Sequence, residues 1–158
     1  MFKIPLLIEH HPSTHISLDR QVHGNPLHIR RGNGVTFGHN VVIDADVSIG
    51  DNVFIGSNSV IRSGVTIGND SVIGHLVLIE EGTKIGQNST IQSNTHITSK
   101  ANIGSNVFIG PGVTSCNDIA MVKYHPERGK FISNGPVLKD GCSVGAEAVI
   151  VTGKHQDQ

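Results

Sequence analysis

The residues best suited to chemistry lie between positions 115 and 137. This segment holds the densest group of polar and titratable side chains outside the termini: Asn117, Asp118, Tyr124, His125 and Arg128. Amide, carboxylate, phenol and guanidinium groups bind polar substrates through hydrogen bonds, and an imidazole accepts a proton near neutral pH. The segment is therefore a candidate loop for substrate binding and catalysis.

Two further histidines, His75 and His96, lie upstream in a repetitive region, as does Asn94. A reaction that removes a proton from an attacking group needs a base, and His75, His96 and His125 are the candidates for it. A solvated surface position is the simpler interpretation for each of them. Replacing each histidine with Ala and measuring kcat decides between the two.

Residues 37–114 consist of thirteen successive six-residue units, here called hexads. The first position is Phe once and Ile twelve times, the second is Gly in eight hexads, and the fifth is Val, Ser, Thr or Ala. An α-helix of about 3.6 residues per turn would spread these isoleucines around its surface, so the hexads are not helical. The even period and the Ile, Val and Thr content predict short β-strands.

The fourth position of each hexad predicts a tight corner. It holds Asn, Asp or Gly in eleven of the thirteen hexads, and the exceptions are Leu76 and Lys100. Asn, Asp and Gly adopt positive φ at the lowest cost. One corner per hexad predicts coils of three strands that stack at ~4.8 Å and bury the isoleucines. In such a stack His39 and His75 share one column, with Ser57 between them.

Composition argues against several classes of function. The 12 basic and 13 acidic residues give no field that would attract nucleic acid or anionic lipid. The sequence has no apolar run long enough for a membrane span, and its start does not resemble a signal peptide. The two cysteines, Cys116 and Cys142, are too few for a disulfide framework, which favours a reducing cytoplasm.

We divide the chain into four segments: an irregular N-terminal cap at 1–36, β-helix coils at 37–114, a protruding loop at 115–137, and a final partial coil with a tail at 138–158. The cap would cover the strand edges at the open end of the first coil. A stack of coils needs no excursion for stability, and opening one costs chain entropy. The long loop therefore favours binding or catalysis over a neutral insertion.

The hexad pattern, "[Ile/Val]-Gly-x-x-[Val/Ser/Thr]-x", resembles that of the hexapeptide-repeat acyltransferases, whose fold is an all-β left-handed parallel β-helix. The order of its motifs is similar to that of family members that acetylate the amino group of a nucleotide sugar. These motifs are "IGQNSTIQSN" at 85–94, "VFIGPG" at 107–112 and "CNDIAMVKYHPERG" at 116–129. The family differs in having Thr where Cys116 stands and Thr-Leu-Val where residues 136–138 stand.

The resemblance implies an acetyl-coenzyme A-dependent N-acetyltransferase that acts on an amino sugar in surface polysaccharide biosynthesis. The amino sugar is expected to be nucleotide-linked, and no metal is required. The resemblance also implies a homotrimer with active sites in the clefts between adjacent solenoids. Related enzymes continue past "VIVTG" with coils that hold much of the coenzyme A site. Either fewer coils bind the donor here, or the activity is lost.

The resemblance also assigns roles to residues. Asn94 matches the family residue that positions the amine, although it is also a corner residue in phase with Asn88 and Asn106. The residues implied to contact the sugar or the nucleotide are Asn117, Asp118, Tyr124 and Arg128. The residues implied to offer backbone groups to the pantetheine arm of coenzyme A are Val137, Gly145 and Ala146.

Two other functions stay open. O-acetylation of a sugar hydroxyl demands a stronger base, which makes a histidine indispensable. A non-catalytic trimeric β-helix scaffold would bind no acyl donor. Zinc catalysis, found in carbonic anhydrases of this fold, needs three imidazoles around one metal. His39 and His75 are separated by ~10 Å of stacking with no third ligand between them, which disfavours zinc.

Overall fold

The computed structural model describes residues 15–16, 29–118 and 135–152. The regular elements within these ranges are all short β-strands, which form three parallel sheets named A, B and C. Successive strands visit A, B and C in turn and build a left-handed parallel β-helix of about 5 coils, which confirms the predicted fold class. None of the described residues belongs to a helix that is long and apolar enough to cross a membrane.

The strands are two or three residues long and are numbered along the chain. Sheet A contains β1 His15–Ile16, β4 Val42–Ile43, β7 Val60–Ile61, β10 Leu78–Ile79, β13 His96–Ile97, β16 Thr114–Cys116 and β19 Val149–Val151. Sheet B contains β2 Arg30–Arg31, β5 Ser48–Ile49, β8 Thr66–Ile67, β11 Lys84–Ile85, β14 Asn102–Ile103 and β17 Val137–Leu138. Sheet C contains β3 Thr36–Phe37, β6 Phe54–Ile55, β9 Val72–Ile73, β12 Thr90–Ile91, β15 Phe108–Ile109 and β18 Ser143–Val144.

The register of the strands aligns each residue of a hexad with the residue at the same hexad position one coil later. Val42 pairs with Val60, an offset of 18 residues, and this offset holds throughout the hexads. Across the loop, Thr114 pairs with Val149, an offset of 35 residues, which is 17 more than 18. The loop therefore inserts 17 residues at one corner without breaking the stack.

Coil structure begins upstream of the predicted boundary at residue 37. Strand β2 pairs with β5, and β3 pairs with β6. Gly34 has a φ of 68° and Val35 is buried, so residues 31–36 form a hexad in which Arg31 stands where Ile stands elsewhere. Residues 1–14 and 17–28 of the predicted cap lie outside the described residues.

The interior is a single column of aliphatic side chains. The thirteen first-position residues from Phe37 to Ile109 are all buried, with at most 8% of their surface exposed. Burying each of these side chains contributes ~1.5–3 kcal/mol. Small polar residues at the fifth position bond to the backbone, as when Ser89 Oγ donates to the Gly104 carbonyl over 2.9 Å. Within the described residues, no buried side-chain nitrogen or oxygen lacks a hydrogen-bond partner.

Each hexad ends in the predicted corner. All thirteen fourth-position residues from Asn40 to Gly112 have positive φ, between 54° and 71°. The two exceptions to the residue pattern adopt the same backbone, with φ of 57° at Leu76 and 59° at Lys100. Stacking of the coils therefore imposes the corner even on side chains that disfavour it.

Candidate active site

The three corners of each coil differ in the side chains that they carry. At the B–C and C–A corners, the second hexad position is Gly except at Gln92 and Lys139, because the next coil passes very close. A Cβ on Gly68, for example, would lie 2.5 Å from the nitrogen of Gln87. The A–B corner instead carries a column of larger residues: Asp44, Arg62, Glu80, Thr98 and Cys116. The loop leaves the coils from this A–B corner.

His96 and Glu80 form a hydrogen-bonded pair beside the A–B corner. His96 lies on β13, and Glu80 follows β10 one coil earlier. The distance from His96 Nε2 to Glu80 Oε1 is 2.8 Å, and the side chains are 38% and 29% exposed. An ionised carboxylate only accepts hydrogen bonds, so Nε2 donates and Nδ1 keeps the lone pair of the neutral ring. An imidazole oriented in this way can accept a proton at Nδ1, and the carboxylate stabilises the resulting charge.

The second oxygen of Glu80 is held by the next coil. The backbone N–H of Ser99 donates to Glu80 Oε2 over 2.9 Å, which fixes the carboxylate from both sides. Ser99 Oγ in turn accepts a hydrogen bond of 2.8 Å from Asn117 Nδ2. The neighbouring Thr98 is bonded through N and Oγ1 to the buried Ser115 Oγ, both over 2.8 Å. The start of the loop is therefore attached to the turn that positions the His96–Glu80 pair.

Asn94 lies at the C–A corner, two residues before strand β13, which carries His96. Fourth-position amides elsewhere bond to each other between coils, for example from Asn88 to Asn106 over 2.7 Å. The neighbours of Asn94 in its own column are Leu76 and Gly112, which have no polar side chain. The exposed amide of Asn94 consequently makes no hydrogen bond within the described chain and is available to a ligand.

His75 lies at the same corner, one coil before Asn94, and the Asn94 N–H donates to its carbonyl over 3.0 Å. The predicted column is confirmed: His39 N–H donates to Ser57 Oγ over 3.0 Å, and Ser57 N–H donates to His75 Nδ1 over 2.9 Å. Because Nδ1 accepts, the neutral ring of His75 carries its proton on Nε2. The ring also contacts Phe54 edge to face, with centroids 6.1 Å apart. His75 thus presents a donor and not a base.

Gly145 and Ala146 lie at the C–A corner of the last described coil, two coils beyond Asn94 and so ~10 Å from it. Both are exposed, and a Cβ on Gly145 would meet nothing within 4 Å. Val137 is also exposed but belongs to sheet B, the face opposite the C–A corner. The structure brings Gly145, Ala146 and Asn94 to one edge and leaves Val137 away from it.

The residues predicted for the loop fall into two groups. Asn117 and Asp118 are partly buried at the A–B corner, where the loop begins. The other three lie outside the described residues: Tyr124, His125 and Arg128.

Sequence reasoning missed Glu80, although a signal for it exists. When the sequence is written in rows of eighteen residues, only one of the three second-position columns contains no glycine, and Glu80 stands in it between Arg62 and Thr98. That column identifies the corner at which side chains replace backbone contacts. Glu80 is the carboxylate in this column nearest to His96.

Two further kinds of chemistry, metal binding and thiol chemistry, depend on particular groups of side chains. Across residues 15–16, 29–118 and 135–152, no three His, Cys, Asp or Glu side chains come together in an arrangement that could hold a metal ion. Cys116 and Cys142 are both free thiols and half-buried.

The coils and their hexads define the class of protein. The family model described as "Bacterial transferase hexapeptide (six repeats)" matches residues 32–63, 46–81 and 82–114. The matches cover more than half of the chain, which therefore belongs to this family. No curated protein matches the chain significantly.

Particular solved structures share the fold. One is a histidine-to-asparagine mutant of perosamine N-acetyltransferase from Caulobacter crescentus, in complex with CoA and GDP-perosamine. It has 20% identity and a TM-score of 0.63, over 86% of this chain and 51% of that one. A hexapeptide transferase family protein from Anaplasma phagocytophilum has 15% identity and a TM-score of 0.51, over 89% of this chain and 71% of that one. At these identities the similarity shows the fold, and our chain spans about half the length of the Caulobacter enzyme.

Proposed function

We propose that this protein is an acetyl-coenzyme A-dependent N-acetyltransferase that acts on a nucleotide-linked amino sugar in surface polysaccharide biosynthesis. The observation that carries this proposal is the row formed by Asn94, His96 and Glu80 along sheet A, between the exposed C–A corner and the start of the loop. The Caulobacter structure, with CoA and GDP-perosamine bound to the same fold, supports the class of substrates.

The row supplies the groups that acetyl transfer requires. The reaction needs a positioned neutral amine, a donor for the developing oxyanion and an acceptor for the proton. Acetyl-coenzyme A supplies the activated acyl group. The Asn94 amide orients the acceptor amine, and His96, whose Cα lies at most ~7 Å from that of Asn94, takes its proton at Nδ1. Glu80 stabilises the charged imidazole, and His75 Nε2–H serves as a hydrogen-bond donor on the same corner.

The donor and the acceptor approach this row from different sides. Gly145 and Ala146 hold the pantetheine arm along the C–A corner, two coils beyond the turn that carries Asn94. Val137, on sheet B, has no place on that path. The loop covers the acceptor from the A–B corner, with these four residues as its contacts: Asn117, Asp118, Tyr124 and Arg128. No metal takes part in this scheme.

The test is acetylation of a panel of nucleotide-linked amino sugars, measured by release of the coenzyme A thiol. We expect the His96→Ala variant to lower kcat by ~10²–10⁴-fold, which is the usual contribution of a general base. We also expect coenzyme A at millimolar concentration to raise the melting temperature of the protein. No acetylation of any amino sugar, together with a flat melting response, would refute the proposal.

We propose O-acetylation of a sugar hydroxyl as a second candidate. The observation that favours it is the carboxylate that orients His96, because a hydroxyl must lose its proton during attack and needs the stronger base. The two activities respond differently to His96→Ala. An amine can lose its proton to the departing thiolate, so N-acetylation keeps a residual rate, whereas O-acetylation stops.

We further propose that the enzyme acts in the cytoplasm as a homotrimer, as the family resemblance implies. Light scattering on the purified chain tests the assembly. A mass of three chains supports the homotrimer, and a mass of one chain contradicts it.

A further inference from the structure

Lys100 occupies a corner where its backbone is strained. Its φ of 59° is in the left-handed region. A side chain such as that of Lys makes this conformation unfavourable, which lowers the stability of the fold. The low-cost residues Asn, Asp and Gly fill eleven of the thirteen equivalent positions. Strained backbone of this kind is concentrated at active sites and ligand clamps. The ammonium of Lys100 makes no ion pair with any residue of the described ranges.

The turn that carries Lys100 also holds the catalytic carboxylate. Lys100 N–H donates to the Glu81 carbonyl over 2.9 Å, and the preceding Ser99 holds Glu80 through its N–H. The Lys100 side chain extends over Gly82, where an added Cβ would lie 3.7 Å from Lys100 Cγ. The backbone that carries the Lys100 side chain is therefore fixed relative to the His96–Glu80 pair.

Three carboxylates flank Lys100 at this corner, Glu80 and Glu81 one coil earlier and Asp118 one coil later, and none of them is free. Glu80 binds His96 and Ser99 N–H. Glu81 Oε1 lies 3.3 Å from Arg62 Nη2, and Arg62 Nε lies 3.2 Å from Asp44 Oδ2. The corner thus holds an exposed cation that has no protein carboxylate as its partner in the described chain.

We propose that Lys100 binds the diphosphate of a nucleotide-containing substrate, a proposal that rests on the proposed function. Lys100 is four residues from His96, at most ~14 Å along the chain. In a nucleotide-linked amino sugar, only the sugar ring separates the amine from the diphosphate. A base and a cation beside one corner can therefore bind one substrate molecule together, with His96 at the amine and Lys100 at the diphosphate. An ammonium is a common point-charge partner of phosphate. Coenzyme A also contains a diphosphate, so the experiment must separate the two sources.

The test compares Lys100→Asn with two control variants. Asn accepts the left-handed corner, so this variant removes the charge while it relieves backbone strain. Lys100→Arg keeps the charge, and Lys139→Asn removes one positive charge at the B–C corner, away from the site. For each full-length variant, the KM of acceptor and of acetyl-coenzyme A and the Kd of inorganic pyrophosphate by titration calorimetry are measured.

We expect Lys100→Asn to raise the acceptor KM and the pyrophosphate Kd by about tenfold or more, because a hydrogen bond to a charged group is lost. Its kcat and melting temperature should not fall, and both control variants should behave like the wild type. A rise in the KM of acetyl-coenzyme A alone would retain the site and assign the diphosphate to the coenzyme. Unchanged values of both KM and Kd would overturn the proposal. If the wild type acetylates no amino sugar, the proposed function fails, and the pyrophosphate titration alone decides the role of Lys100.

Discussion

Replacing Glu80 with Gln tests the catalytic pair with almost no change of shape. The carboxylate accepts two N–H groups, from His96 Nε2 over 2.8 Å and from Ser99 over 2.9 Å. The Gln side chain has an acceptor oxygen at one end and a donor NH₂ group at the other. It therefore cannot accept a hydrogen bond at each of the two positions where the Glu80 oxygens do so. In one arrangement the Ser99 N–H faces the amide donor. In the other, His96 accepts at Nε2 and carries its proton on Nδ1.

The expected loss of activity follows from these two arrangements. With its proton on Nδ1, His96 is no longer a base at that atom, and without the carboxylate its charged form loses its partner. General-base catalysis contributes ~10²–10⁴-fold, so we expect Glu80→Gln to lower kcat by at least about 100-fold. The KM of acetyl-coenzyme A should change little. The free energy of unfolding should fall by only about 1 kcal/mol, because water reaches both partly exposed side chains.

The assay is the rate of thiol release from acetyl-coenzyme A at saturating acceptor, followed with a thiol-reactive chromophore. Glu81→Gln is the matched control, because it changes the next carboxylate in the chain, which is 52% exposed and pairs with Arg62. We expect Glu81→Gln to keep the kcat of the wild type. Equal kcat values for Glu80→Gln and Glu81→Gln would refute the argument that the pair acts as the base.

Three predictions concern the stability of the coils, measured as the free energy of unfolding in urea. Leu76→Asn should stabilise the protein by about 1 kcal/mol by relieving the left-handed strain, and a lower midpoint would contradict this. Ile91→Ala should cost ~2–5 kcal/mol because the side chain is completely buried, and a cost within error of zero would contradict that burial. Gly68→Ala should cost ~1–3 kcal/mol because its Cβ would lie 2.5 Å from the nitrogen of Gln87. Gly145→Ala, with no atom within 4 Å, is its control and should cost nothing.

The coils follow directly from the sequence because Ile fills nearly every first hexad position, and Asn, Asp or Gly fills nearly every fourth position. The first-position isoleucines are buried as predicted, and the fourth-position residues all turn with positive φ. Arg31 shows the limit of this reasoning. It stands in a hexad whose Gly34 and Val35 fit the pattern, but its charge hides the hexad from any search for an apolar first position.

The His96–Glu80 pair was less accessible to sequence reasoning because it joins residues of different coils. Glu80 and His96 are 16 residues apart, so their contact depends on the coil length and on which corner each residue occupies. His75 and His96 look alike as candidate bases in the sequence. Only the hydrogen bonds distinguish them, because the Ser57 N–H occupies Nδ1 of His75 while Glu80 accepts from Nε2 of His96.

The uneven distribution of glycine shows that the three corners differ in how freely their residues can be substituted. At most second positions of two corners, as at Gly68, a Cβ would collide with the neighbouring coil, so those columns have little freedom to vary. At the A–B corner, side chains as different as Asp44, Arg62 and Thr98 occupy equivalent places with the same backbone. This edge can therefore acquire new specificities by single substitutions while the rest of the solenoid is inherited unchanged.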